Sequence, residues 1–545
     1  MTVRVTTLKG VDAGRYYTDR LPSYYLDGEE PPGRWWGRGA ERLGLSGVVD
    51  PEAFLAVMAG QNPANGADLG RRYGEPPVRG YDVTFSAPKS VSVLFAVGDE
   101  ESRRQVVEAH ERAVEAVLGW VESHAHTRLR YHGHIMCVDA EGIMVGLFRQ
   151  HTSRRLDPQL HTHAVIANRV PAPDGRWLAV DARTIMVDQR TLSALNHAGL
   201  RSELTRRLGV EWETPEHGIA EIAGIPEVVL AAFSQRTRDV EGRLEQKLAR
   251  FRADLGREPT VKERWRLERE AVVDSRPAKS HGVTQAQLHE EWRERTLRLG
   301  HEPRQLVEQV VGRLRRLDEI DHLAATGLVD AALGSLGEGQ SSWRHAELVR
   351  ELAAAVPTST ALGSVDLTDA LDGLGGHVAE DRCVDISRPV PSGVALRRDG
   401  RPITEAAADR ALTTRTILAE EEELLIRAQR RKDREKTRIR PRVIRFGREL
   451  TSGQQEAVAA VAGDGGLELI VGPAGAGKTT MLAAGVLNLA VRGISRLGWL
   501  RLRRRPKYWP PKHACGPTRW TSCSPNITIR PVHLTLASTC QRGRR

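Results

Sequence analysis

The sequence predicts an α/β (α+β) fold. Three observations carry that expectation. Short apolar runs of period two fill the stretch up to residue 167, helix-period stripes lie between and after them, and a strand–glycine loop–helix pattern stands near residue 470. In chain order, the expected strands are Val83–Phe85, Val91–Ala96, Leu129–Ile135, Ile143–Phe148 and Leu160–Ala167, each rich in β-branched or aromatic residues. Ser102–His124 is an expected helix because Val106, Val107, Ala113, Val114, Val117 and Leu118 make one apolar stripe. Residues 187–208 and 226–254 also read as helical. The Arg- and Glu-rich stretch 235–300 reads as solvated helices broken near Gly256, Pro259 and Pro277. Residues 300–440 read as mostly helical, with loops near 334–339 and 388–402 and a long helix over Glu405–Arg430. A basic linker, Arg430–Arg445, precedes a helix at 454–462 and a buried-strand pattern at Leu467–Val471.

Length allows two to four domains with cores of their own. No stretch approaches the roughly 18 apolar residues of a membrane span, and Thr6–Tyr17 is too polar for a signal peptide. The expectation is therefore a chain without membrane insertion. Five cysteines are too few for a disulfide framework, which points to a reducing, cytoplasmic setting. The net charge of +10 misleads. The last 55 residues, from Val491, hold 13 Lys or Arg and no Asp or Glu; the remainder has 67 basic and 70 acidic residues, a net of −3. A nucleic-acid surface must therefore come from local clusters.

Two histidines one residue apart, His161 and His163, sit inside the apolar run Leu160–Ala167. On a strand, both imidazoles leave the same face, as two ligands of one metal ion need; the plain alternative is two histidines that happen to alternate. Tyr16-Tyr17 and Tyr24-Tyr25 hold half of the eight tyrosines within ten residues. The plain reading is aromatic packing or base stacking. The chemical reading is a nucleophile, which at a reference pKa of about 10 needs a cation beside its target. Asp82, in Tyr81-Asp82-Val83-Thr84-Phe85, could orient a ligand imidazole or be an ordinary strand-end carboxylate.

Gly472-Pro473-Ala474-Gly475-Ala476-Gly477-Lys478-Thr479 fits the P-loop pattern. Its backbone amides would cradle phosphates at a helix N-terminus. Lys478 would reach the β and γ phosphates of ATP, and Thr479 would hold Mg²⁺. Gln454 stands where some helicases read adenine. Hydrolysis also needs an acidic residue on Mg²⁺, and none follows Glu468. The expectation is a motor cut off after its first βα unit, with no DNA unwinding and an aberrant or disordered tail, a basic nucleic-acid arm being the other reading of that tail.

The chain resembles the MobF class of conjugative relaxases, the TraI/TrwC relaxase–helicase type. The resemblance rests on Tyr16-Tyr17 and Tyr24-Tyr25, Arg34-Trp35-Trp36-Gly37-Arg38-Gly39-Ala40-Glu41, Leu43-Gly44-Leu45, Tyr81 through Ser92, and Thr152-Ser153-Arg154 with Asp157-Pro158-Gln159-Leu160-His161-Thr162-His163. It implies a relaxase (TrwC-like) sheet domain of the His-hydrophobic-His type over 1–300. A helical region and linker over 301–445, the opening fragment of a RecD-like P-loop helicase domain over 446–490, and a basic tail over 491–545 would follow.

The implied activity is nicking of single-stranded DNA at a plasmid transfer origin, with a 5′-phosphotyrosyl intermediate and later rejoining. By position, Tyr16 is the first nucleophile and Tyr24 the second, with Tyr17 and Tyr25 as their neighbours. His161 and His163 are metal ligands, Asp82 orients one of them, and Lys89 and Arg154 meet phosphates. Mg²⁺ or Mn²⁺ is the implied metal, and relaxosome accessory and coupling proteins are implied partners.

One position departs from the family. Its third histidine falls two residues before Thr152, where this chain has Gln150, with His151 beside it. Strand alternation aims the two in opposite directions. The expected ligand is His151, turned inward by a bulge; the alternatives are Gln150 as an oxygen ligand and a weakened site. Trp35, Trp36, Arg34 and Arg38 form an aromatic–basic cluster, read either as a single-strand stacking surface or as packed tryptophans with solvated arginines. Two other functional readings stand beside the relaxase: a degenerate protein that binds single-stranded DNA without cutting it, and an ATP-dependent helicase.

Overall fold

The computed structural model describes residues 3–10, 14–20, 30–73, 77–131, 133–216, 218–275, 283–314, 322–387, 393–432, 450–462, 470–472 and 476–491. Tyr24, Tyr25, Gly475, most of the expected strand at Leu467–Val471 and the tail beyond Val491 lie outside them.

A five-stranded antiparallel sheet organises the first of two compact units. Its strands are β1 (Val3–Lys9), β2 (Arg34–Trp36), β3 (Val78–Ser86), β6 (Val145–Thr152) and β7 (Pro158–Ala167), in the order β1-β3-β7-β6-β2. β7 is therefore central. Its even residues, among them Leu160, join an apolar cluster with Val91, Leu94, Leu200 and Trp292. Its odd residues Val165 and Ala167 join Tyr17, Trp35, Phe54 and Phe148 on the opposite face. This is the period-two alternation of a strand buried on both sides.

Helices α1 (Arg38–Glu41) and α2 (Pro51–Ala59) follow β2. Asp50 caps α2 through the Ala53 amide at 2.8 Å, which sets Phe54 and Val57 under the open face of the sheet.

The expected strand Val91–Ala96 is instead helix α3 (Lys89–Val97). Its Ser-Val alternation mimics a strand, but every residue from Ser90 to Val97 is buried, so no polar face was available to reveal the helical period. The buried serines are satisfied: Ser90 Oγ accepts from the Ile222 amide (2.7 Å), and Ser92 Oγ accepts from the Leu160 amide (3.1 Å). Helix α4 (Glu100–Ser123) fits the expected stripe and is capped by Asp99. The single strand expected at Leu129–Ile135 is a hairpin, β4 (His126–Tyr131) and β5 (His134–Asp139), with Gly133 in a positive-φ turn. A short pair, β8 (Val170–Pro171) and β9 (Trp177–Leu178), follows β7.

Helices α5 (Ala182–Val187) and α6 (Gln189–Leu208) come next. The helix expected at 226–254 is two, α7 (Glu227–Ala232) and α8 (Gln235–Leu255). Helix α8 packs on α9 (Val261–Asp274) through a small core of Leu248, Phe251 and Leu267; α10 (Gln285–Arg298) and α11 (Pro303–Val310) continue the chain. The loop expected at 334–339 is the end of α12 (His322–Gly339). There Leu328, Ala332 and Leu336, four apart, bury one stripe despite the glycines. Helices α13 (His345–Ala355) and α14 (Ser364–Asp381) belong to the same compact unit as the sheet, hydrogen-bonded to α4 and α6 through Trp120–Asp372 and Thr191–Ala346. No helix among the described residues is long and apolar enough to cross a membrane.

The second unit holds the short pair β10 (Cys383–Asp385) and β11 (Leu412–Thr414), followed by α15 (Arg415–Lys432), α16 (Ser452–Ala462) and α17 (Lys478–Val491). Helix α15 starts ten residues later than the expected Glu405 because β11 occupies 412–414. Val458, Met481 and Ala484 make a small core between α16 and α17.

Candidate functional site

Pairing across the sheet brings the expected residues to one face. His161 and His163 are the part-exposed odd residues of β7, with ring centroids 5.3 Å apart. On β3, Thr84 pairs with His163 and Asp82 with Val165; on β6, Gln150 pairs with His161. Directly opposed residues share a face. Asp82, Thr84, His161, His163 and Gln150 therefore point the same way.

Each imidazole has its proton placed by a neighbour. His163 Nδ1 donates to Asp82 Oδ2 at 2.9 Å, with Oδ1 at 3.1 Å. His161 Nδ1 donates to the Gln159 carbonyl at 2.9 Å. Both rings thus present Nε2 as a lone pair, the arrangement metal-binding histidines use. Burial, and next the neighbouring His163, hold the His161 imidazole down to about 4, so it is neutral at physiological pH. Asp82 is 7% exposed and offsets its desolvation with further bonds, from Tyr17 Oη (2.8 Å) to Oδ2 and from Thr84 Oγ1 (3.2 Å) to Oδ1.

The two described tyrosines divide. Tyr17 is buried against Phe148 (5.5 Å), Phe54 and His163, and its hydroxyl is committed to Asp82. Burial, then the Asp82 charge, pushes its phenol far above the ordinary value. Its place in the expected catalytic set is corrected to a positioning one, because a hydroxyl held by a carboxylate inside the core does not reach a substrate. Tyr16 begins a single π-helical turn (Tyr16–Arg20) and is half-buried. It lines the open cleft with Gln150, Arg154, His161, His163 and Arg236. Single π turns recur at functional sites because they re-aim one side chain.

His151 is not brought into this cluster. The ring stacks on Phe95 of α3 at 4.9 Å, 4% exposed, and neither nitrogen has a hydrogen-bond partner among the described residues. Burial, and next Arg149, hold it down to about 3. The register does shift near here, with Gln150 opposite His161 but Thr152 opposite Pro158. The extra residue therefore sits on β7, and β6 keeps its alternation. Gln150 is the residue that faces the cleft, and its Nε2 has no hydrogen-bond partner among the described residues. Two imidazoles and a carboxamide on one face form a donor set that suits a divalent cation.

The loop between β6 and β7 is built tightly. Leu156 has φ 58°, a left-handed conformation costing a side-chain-bearing residue about 1 kcal/mol. Ser153 Oγ accepts from the Arg155 and Asp157 amides, and Trp292 Nε1 donates to the Leu156 carbonyl at 2.8 Å. The Asp157 carboxylate accepts from Gln235 (2.9 Å) and Arg295 (3.1 Å). These groups hold the strained turn that offers Arg154 to the cleft. Sequence reasoning missed the positioning role of Ser153 and Asp157, although both lie inside the quoted motif. It also missed Glu30, buried beside Gln150 and the His151 amide, whose carboxyl burial pushes up to about 8.

One expected DNA contact is corrected, and the two readings of the aromatic–basic cluster divide. Lys89 Nζ donates to the Pro158 carbonyl at 2.9 Å, so its ammonium closes the fold instead of meeting a phosphate. Trp35 is 7% exposed in the core, Arg34 pairs with Glu115, and Arg38 pairs with Glu122 at 2.8 Å. Trp35 follows the packed reading, Trp36 stays part-exposed, and both arginines pair with carboxylates of α4 instead of being simply solvated.

In the second unit, Lys478 opens α17 and its Nζ donates to the Gly472 carbonyl at 2.6 Å. Gln454 Nε2 donates to the Ala476 carbonyl at 2.9 Å. Gly477 has φ +71°, a left-handed backbone conformation that favours glycine. Thr479 is exposed beside it.

The family model of the TrwC relaxase matches residues 10–299, more than half of the chain. The chain belongs to the TrwC relaxase family. A model of an AAA domain matches residues 449–496, around the P-loop. The multifunctional conjugation protein TraI of Escherichia coli strain K12 is 35% identical over 281 residues, 49% of this chain and 14% of the relative. A second TraI from Escherichia coli is 36% identical over 242 residues, 42% of this chain and 13% of the relative. The matched part thus spans only a small fraction of these relatives. Solved structures of the conjugative relaxase TrwC in complex with OriT DNA, one metal-free and one metal-bound, are 33% identical to it. They cover 55% of this chain and 99% of their own, with TM-scores of 0.46 and 0.47.

Proposed function

We propose that this member of the TrwC relaxase family nicks single-stranded DNA at a plasmid transfer origin and later rejoins it. The observation that carries the reading is the shared cleft: Tyr16 lines it with His161 and His163, whose protons Asp82 and the Gln159 carbonyl place on the far side of each ring.

In the proposed reaction the Tyr16 phenolic oxygen attacks phosphorus. The P–O3′ bond breaks, the P–O(Tyr) bond forms, the 3′ oxygen leaves as a hydroxyl, and the phenolic proton is released. One phosphodiester replaces another, so the bond energy is kept for rejoining and nicking needs no ATP. Arg154, on the cleft wall, would hold the phosphate and balance its charge, while the Arg236 guanidinium beside it donates to Val272 and Ser275. Tyr17 stays a hydrogen-bond donor to Asp82 and keeps the His163 ring in place. Tyr24 is the proposed nucleophile of the second transesterification.

His161, His163 and Gln150 would hold a divalent cation; the carboxamide oxygen admits Mg²⁺ or Mn²⁺, while the two imidazoles favour ions that also accept nitrogen, Mn²⁺ ahead of Mg²⁺. When bound, it would make the scissile phosphate more electrophilic. Gly472, Gly475, Gly477, Lys478 and Thr479 are the proposed ATP/Mg²⁺ site, with Gln454 beside it. Relaxosome accessory and coupling proteins are the partners such a reaction would call on.

The test is a covalent-adduct assay with single-stranded oligonucleotides spanning the plasmid's own transfer origin, in Mg²⁺, Mn²⁺ or EDTA. A metal-dependent, denaturant-resistant adduct that falls by at least about 10³-fold in Tyr16→Phe supports the reading. Binding without an adduct in every metal overturns it and leaves a single-strand-binding protein.

A further inference from the structure

A second set of candidate ligands lies away from the cleft, where α4 ends and α13 and α14 pass. His124 is the C-cap of α4, His345 is the first residue of α13, and Asp372 lies on α14. One ligand atom from each falls within 4.8 Å of the others. His345 Nε2 donates to Asp372 Oδ1 at 2.9 Å, a proton that a bound ion would displace, and His124 Nε2 is 3.6 Å from the same oxygen. The three side chains are 26–31% exposed, so they reach solvent without being free surface groups.

The surroundings prepare these atoms for a cation. His124 Nδ1 lies 2.9 Å from the Trp120 carbonyl and 3.0 Å from Ser123 Oγ, whose own hydroxyl donates to that carbonyl. Nδ1 therefore carries the hydrogen, and Nε2 faces Asp372 as a bare lone pair. A lone pair and a carboxylate oxygen 3.6 Å apart repel unless positive charge lies between them. Trp120 fixes both partners: its ring stacks on His124 at 4.3 Å, and its Nε1 donates to Asp372 Oδ1 at 2.8 Å. The backbone of α14 fixes the third ring, since a Cβ at Gly375 would stand 2.9 Å from His345 Cε1. A backbone carbonyl on the outer nitrogen of one imidazole and an indole on the carboxylate are the outer partners seen around protein metal ions.

We propose that His124, His345 and Asp372 bind a borderline divalent ion such as Zn²⁺, Co²⁺ or Ni²⁺, with water completing its shell. Two imidazoles and one carboxylate select that class over Mg²⁺, whose preferred ligands are oxygens. The ligands come from three helices distant in sequence, so the ion ties α4, beside the relaxase sheet, to α13 and α14. Its role is structural, and no part of the proposed cleavage chemistry depends on it.

The test titrates the full chain with Co²⁺, followed by visible d–d absorption and by stoichiometry. The variant H161A/H163A removes the imidazoles of the cleft. On that background we expect one Co²⁺ per chain, and a rise in Tm with Zn²⁺. Adding D372N should weaken Co²⁺ binding by more than about 10-fold while the amide oxygen still accepts from Trp120. Adding H345A should do the same. A folded H161A/H163A chain that takes up no Co²⁺, or D372N and H345A titrations matching their parent, would overturn the site and leave a protonated His124 as the answer to the repulsion. Where circular dichroism shows H161A/H163A unfolded, the comparison moves to D372N alone. Loss of one Co²⁺ per chain relative to the unaltered protein supports the site, and unchanged stoichiometry overturns it.

Discussion

The two faces of the central sheet are lined by histidines of opposite character. On the open face, His161 and His163 each give a proton to a definite acceptor and so each offer Nε2. On the helix-covered face, His110, His151 and His289 lie buried, and at least one ring nitrogen of each lacks a hydrogen-bond partner among the described residues. Burial holds His110 and His151 down to about 3. The contrast separates two uses of one residue type. An imidazole becomes a candidate ligand where a neighbour fixes its proton and its other nitrogen meets solvent. Elsewhere it is a neutral packing ring that tolerates unsatisfied nitrogens at a cost of about 1–3 kcal/mol each.

The sharpest way to break this comparison exchanges the two faces. Gln150→Ala should weaken Mn²⁺ binding by more than the roughly 10–100-fold typical of losing an outer partner. Gln150→His should strengthen it, and His151→Phe should leave it unchanged. Isothermal titration of the three variants decides it; a loss of Mn²⁺ in His151→Phe would reverse the assignment of faces.

Asp82→Asn comes next. It keeps the shape but lets the amide donate, which disturbs both the Tyr17 hydroxyl and the His163 tautomer. The expected loss is about 10–100-fold in Mn²⁺ affinity, read by the same titration, with near-wild-type thermal stability.

Acid should then distinguish the packing histidines. His110 and His197 are neutral in the fold, both held down to about 3 chiefly by burial, with Arg149 next for His110 and Arg201 for His197. Their unfolded counterparts charge near 6.5. The unfolded chain therefore binds more protons below about pH 6.5, so stability is present above that value and is lost as pH falls toward 3. At pH 5 the cost is about 2 kcal/mol per group, measured as a falling urea midpoint. His110→Gln should flatten that slope, and an unchanged slope would remove His110 from the account.

The smallest effect is expected beneath the open face. Asp50→Ala removes the cap of α2 and should cost about 1 kcal/mol in chemical denaturation without changing Mn²⁺ affinity. A large affinity change there would mean that Phe54 and Tyr17 couple the α2 floor to the ligands more tightly than their packing implies.

Much of this was legible in the residues themselves. The alternation of Leu160–Ala167 placed His161 and His163 together because side-chain direction on a strand is set by covalent geometry. The glycine pattern before Lys478 marked the turn into α17 for the same local reason. Other features were hidden. The Ser-Val alternation of 89–97 reads as a strand until burial on every side is known. The loop expected at 334–339 hides a buried stripe, because glycines mask helical spacing in a sequence but only weaken it in a packed helix.

The sequence by itself determined the candidate chemistry: which residue types are present, their spacing, and which pairs share a strand face. Tertiary structure alone decided their roles. Gln150 rather than His151 faces the cleft because the extra residue sits on β7, a property of pairing between strands. Tyr16 is open and Tyr17 closed because Asp82, 65 residues away, takes one hydroxyl and burial follows it. Spacing is written into the backbone, whereas the fate of a proton or a lone pair depends on which distant group folding brings within about 3 Å.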